Sequence, residues 1–60
     1  MTLPKDPFML LSYVNTQLRD HYASLQDMAS SLGIPEEEIV LPLKKAGYVY
    51  DPELNRFQTV

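Results

Sequence analysis

Sixty residues make one small domain, spanning residues 1–60, and a chain of this size buries only about 60% of the surface its unfolded form exposes. It has no cysteine, so neither disulfides nor a thiolate-bound metal can staple it, and stability must come from an apolar core or from association. Five basic against eight acidic residues leave a net charge of −3, which disfavours nucleic acid as a partner: such binders carry a basic face, whereas Lys5, Arg19, Lys44, Lys45 and Arg56 are scattered.

The first apolar run, Phe8 to Leu11, is far too short to span a membrane. No charged-then-apolar leader precedes it, so a cytoplasmic protein without membrane attachment is expected. Met1 to Lys5 has no periodicity and reads as an extended lead-in that packs through Leu3. Asp6-Pro7 is a strong helix start: the carboxylate caps the first amides, and proline at the first helical position loses nothing by lacking an N–H. The spacing predicts a helix over 7–21. Leu10, Leu11, Val14, Leu18 and Tyr22 share its core side, while Met9, Tyr13, Thr16 and Asp20 fall opposite.

The stretch LQDMASSLGIPEEEIVLPLKKAG, residues 25 to 47, predicts a second helix over 25–32, a glycine turn and a third helix over 36–46. Leu25, Met28, Ala29 and Leu32 form the apolar side of the second helix, and Ser24 supplies its cap. Gly33 suits the left-handed residue that ends the helix, with Ile34 packed beneath the turn and Pro35 opening the third helix. Glu36, Glu37 and Glu38 match the positive end of that helix's dipole, and Lys44 and Lys45 the negative end. Ile39, Leu43 and Ala46 face the core. Pro42 conflicts with this regularity, because it lacks a donor and its ring opposes the Glu38 carbonyl. Either the helix kinks there, the preferred reading, or Pro35 to Glu38 form a separate turn and the regular helix starts later.

After Gly47 the periodicity changes to alternation. Tyr48-Val49-Tyr50 and Arg56 to Val60 flank turn chemistry in Asp51 to Asn55, which predicts a hairpin pairing 48–50 with 56–58. Tyr48, Tyr50 and Phe57 then lay an aromatic face on the helices. The expected fold is α+β and mainly α: three helices with a helix-turn-helix and a C-terminal β-hairpin, a miniature winged-helix-like arrangement.

The segments LPKDPFMLLSYVNTQLRDHYASL, at residues 3 to 25, and GYVYDPELNRF, at 47 to 57, resemble short bacterial proteins of a domain-of-unknown-function family. The shared features are an LPKDP opening, a VNTxLRD first helix and a GYxYD ending. The resemblance covers nearly the whole chain, and it implies no activity and no site residue.

Chemistry-bearing residues are few. His21 is the single histidine and has no partner at metal-like spacing. Glu36, Glu37 and Glu38 are consecutive on a helix and cannot converge on a metal. The serines lie in no nucleophile motif, and neither glycine belongs to a phosphate-cradling loop. No cofactor, metal, small-molecule substrate or enzymatic activity is expected. Asn15, Thr16, Arg19 and Asp20 form a polar group, read as solvated charges plus side chains that flank the core or cap a neighbouring loop.

The preferred function is a non-catalytic protein-interaction module that self-associates or meets a protein partner. Its candidate interaction residues are Met9 and Tyr13, off the core side of the first helix, with Leu41, Lys44 and Lys45 on the third. The alternative is a helix-turn-helix regulator binding DNA or RNA. Its recognition helix would have to carry Glu37 and Glu38 towards phosphate.

Overall fold

Asp6 starts the first helix as its side chain requires: it is extended and accepts the Phe8 amide at 2.8 Å, and Pro7 follows at the first helical position. The structure, a computed structural model, describes residues 3–60. Met1 and Thr2, two of the five residues of the lead-in predicted to run to Lys5, lie outside the described residues. Leu3 packs against the core, as expected.

Helix α1 runs Pro7–Asp20, with His21 as its C-cap. Leu10, Val14 and Leu18 are its buried residues, and Leu11 and Tyr22 are half-buried against the same core. Tyr13 departs from expectation. Instead of facing away from the core, it is half-buried and packs against it. Three residues advance a helix by roughly 300°, so Tyr13 lies only about 60° around the axis from Leu10, and a long ring closes that gap.

Helix α2 (Leu25–Leu32) begins at Ser24, whose hydroxyl accepts the Asp27 amide at 3.1 Å. It ends in a Schellman turn. Gly33 sits at φ 71°, its N–H bonds the Ser30 carbonyl at 3.2 Å, and the Ile34 N–H bonds the Ala29 carbonyl at 3.1 Å. Ile34 packs against the core beneath this turn.

Helix α3 (Glu37–Lys45) starts one residue later than predicted. Glu36 is its N-cap and makes no side-chain cap, so Pro35 precedes the helix and does not open it. The orphan amides are met by the backbone: Glu38 bonds the Pro35 carbonyl at 3.1 Å and Ile39 the Glu36 carbonyl at 2.9 Å. The helix also runs through Pro42 without a break. Pro42 removes the donor for the Glu38 carbonyl, on an exposed residue that water can serve. Pro42→Ala should restore that bond and stabilise the domain by about 1–2 kcal/mol. This is below the ~3 kcal/mol interior penalty of proline, because the ring's own packing is lost. A Tm at or below wild type would contradict this.

Gly47, at φ 94°, turns the chain into strands β1 (Tyr48–Asp51) and β2 (Arg56–Thr59), one residue longer each than predicted. They pair antiparallel, with Tyr48 opposite Thr59 and Tyr50 opposite Phe57. Phe57 is buried, and its ring meets that of Tyr50 at 5.5 Å. The core thus draws Leu10, Val14 and Leu18 from α1, Leu25 and Met28 from α2, Ile39 and Leu43 from α3, and Phe57 from the hairpin. Three helices followed by one antiparallel hairpin is the predicted element order.

Candidate functional site

Two asparagines pin the hairpin to α1. Asn15 donates to the Phe57 carbonyl at 3.1 Å and accepts the Phe57 amide at 2.8 Å. Its carboxamide thereby pairs with β2 as a neighbouring strand would. Asn55 serves the end of α1. The Tyr22 amide bonds the Gln17 carbonyl, not that of Leu18, which leaves Leu18 O without its helical donor. Asn55 Nδ2 fills the gap, donating to Leu18 O at 3.1 Å and Tyr22 O at 2.9 Å. Asn55 reaches these atoms from the left-handed region, at φ 53°.

The Tyr50 hydroxyl donates to Asn55 Oδ1 at 2.7 Å and accepts the Leu25 amide at 3.2 Å. Leu25 opens α2, so one phenol serves an orphan donor there and joins it to the hairpin. Asp51 closes the hairpin loop: Oδ1 accepts the Glu53 and Leu54 amides, and Oδ2 accepts Gln58 Nε2 at 2.8 Å. Asp6, Asn15, Tyr50, Asp51 and Phe57 are therefore occupied in holding the fold.

Two concavities stand out among the described residues. One, of about 590 Å³, lies among Ser12, Thr16, Arg19, Leu54, Arg56 and the two asparagines. The carboxamides are committed to backbone groups and to the Tyr50 hydroxyl, and Arg19 is bonded to Asp20 at 2.9 Å. That hydrogen bond holds the Asp20 carboxyl below its usual range. Whatever stability the lowered value gives is present at neutral pH and lost as acid protonates the group, and exposed pairs of this kind contribute little. No buried polar side chain among the described residues is left seeking a ligand here.

The second concavity, about 630 Å³, is lined by Leu3, Leu32, Ile34, Leu41 and Pro42 together with Glu37 and Glu38. It is an apolar groove between the Schellman turn and the outer face of α3.

Of the predicted interaction residues, Leu41 lines this groove and is 52% exposed. Met9 is 63% exposed and follows Phe8, which is 66% exposed and stands edge-on to Tyr48 at 6.5 Å. Lys44 and Lys45 are exposed in the last turn of α3, outside the groove lining. Tyr13 joins none of these surfaces as an exposed residue. The groove itself was not predicted, although Leu3 and Ile34 were placed as packing residues; their meeting with Leu41 depends on how α2 and α3 are set.

His21 is exposed, and among the described residues no group of three or more His, Asp or Glu side chains converges to hold a metal. No helix among them is long and apolar enough to cross a membrane. Comparison with curated proteins and with solved structures finds no match. A family model does match, over residues 4–57. The chain belongs to the family described as Domain of unknown function (DUF4250).

Proposed function

We propose that this protein is a non-catalytic, cytoplasmic protein-interaction module that self-associates. The observation behind this reading is the amount of apolar surface left uncovered around so small a core. Phe8, Met9, Leu41 and Leu54 are each more than half exposed, and the groove of Leu3, Leu32, Ile34, Leu41 and Pro42 makes part of that surface contiguous. Scattered exposed apolar residues are ordinary, but a contiguous apolar concavity favours contact with another chain. Covering such surface is worth about 25 cal/mol per Å². A second copy is the simplest partner, because a two-fold contact needs only one self-complementary patch.

The second reading, a DNA- or RNA-binding regulator, is favoured by the element order and by Lys44 and Lys45 on α3. Glu37 and Glu38 at the start of that helix oppose it, as does the net charge of −3. Sedimentation velocity over a range of protein concentrations, with and without duplex DNA, separates the two. The expected result is a sedimentation coefficient that rises with protein concentration. Any DNA binding should be weak and vanish as salt is added, since few cations displace counterions. A strictly monomeric protein overturns self-association, and tight DNA binding at physiological salt reverses the ranking.

A further inference from the structure

The two edges of the hairpin are treated differently. The Val60 N–H bonds the Gly47 carbonyl at 3.1 Å, and Gly47 continues the register that sets Tyr48 opposite Thr59. Hydrogen-bonded and non-hydrogen-bonded pairs alternate along an antiparallel ladder. Val49–Gln58 and Asp51–Arg56 are therefore the bonded pairs, and Tyr48, Tyr50, Phe57 and Thr59 turn their backbone groups outward. On the β2 side, Asn15 takes both outward groups of Phe57. On the β1 side, the N–H and C=O of Tyr48 and Tyr50 have no backbone or side-chain partner among the described residues. Unpaired backbone groups persist where water reaches them, so this edge is open.

Only the four-residue length of β1 and Asp51 at its end limit pairing at that edge. Proteins blunt exposed edges with lysine, proline or a bulge, and Tyr48-Val49-Tyr50 has none of these. It is instead the stretch of highest strand propensity in the chain.

We infer that β1 pairs edge to edge with β1 of a second copy, joining two hairpins into a four-stranded antiparallel sheet. This rests on the self-association reading and names its surface. The edge is self-complementary about Val49. With Val49 of the two chains facing on the two-fold axis, Tyr48 of each lies opposite Tyr50 of the other, and these are the residues whose groups point outward. Each such pair exchanges two hydrogen bonds, four in all. Aromatic residues then face each other on the inner side of the sheet, a favourable cross-strand pairing. On the outer side Val49, 38% exposed, meets its own copy. The same register sets Asp51 against Gly47, so no like charges are opposed. Phe8, edge-on to Tyr48, extends the apolar surface beside the contact. A strand of four residues buries little area, so the dimer is weak and concentration-dependent.

The test uses the full chain. Val49→Lys and Val49→Glu each place like charges on the axis at an exposed position, and each should weaken the dimer at least about tenfold while circular dichroism stays native. Mixing the two variants should restore it as a heterodimer. Amide hydrogen exchange in the wild type gives a readout independent of these variants: the Tyr48 and Tyr50 amides should gain protection as concentration rises. If the wild type dimerises but those amides stay unprotected, or the folded Val49 variants dimerise unchanged, the edge is the wrong surface and self-association stands. If the wild type remains monomeric at the highest concentration, both fall.

Discussion

Leu18→Ala is expected to cost about 2–5 kcal/mol of folding stability, the range for removing a buried leucine and leaving a cavity. Leu18 is 2% exposed and belongs to the cluster that draws on all three helices and the hairpin. A domain of this size holds only a few kcal/mol in reserve, and each 1 kcal/mol shifts Tm by roughly 4–8 °C. The variant should therefore be largely unfolded near room temperature or melt well below the wild type. Urea titration followed by circular dichroism measures the difference. A midpoint within error of the wild type would mean that this side of α1 does not face the core.

Asn55→Ala is expected to cost about 2–4 kcal/mol, although the residue is small and lies in a turn. Three hydrogen bonds end on its carboxamide, and it serves the α1 carbonyl of Leu18 and the Tyr22 carbonyl just beyond the helix end. Leaving such groups unpaired costs roughly 1–3 kcal/mol. Alanine at φ 53° adds about 1–2 kcal/mol of left-handed strain. Asn55→Gly should recover the strain and not the hydrogen bonds, and so melt between the wild type and the alanine variant. Equal stability of the glycine variant and the wild type would show that the carboxamide holds nothing together.

These two residues differ in how far the sequence reveals them. Leu18 was legible because its evidence is periodic: apolar residues recur at helical spacing, and the buried set Leu10, Val14 and Leu18 repeats every four residues. Asn55 was legible only as a turn residue tolerant of positive φ. Its bond to Leu18 spans 37 positions, and that of Asn15 to Phe57 spans 42. The sequence reads Asn15 as flanking the core or capping a neighbouring loop, and does not identify the strand it clamps. Tyr13 failed for a different reason. Helical angle gives the direction of Cβ, while a half-buried ring is decided by how far the side chain reaches and which neighbours leave room.

The sequence by itself determined the caps at Asp6 and Ser24, the left-handed stop at Gly33, the switch from helix to hairpin at Gly47 and the core stripes of each helix. Each depends on groups within about one helical turn, or on strict alternation, so local chemistry suffices. Tertiary structure alone decided the meeting of Leu3, Ile34 and Leu41 in one groove, the use of Tyr50 and Asn55 at the α1–α2 junction, and the capture of the Phe57 backbone by Asn15 on the β2 edge. Those outcomes follow from the relative placement of elements far apart in the chain. That placement is set by mutual packing of apolar faces, whose contacts are non-directional and carry no local signature.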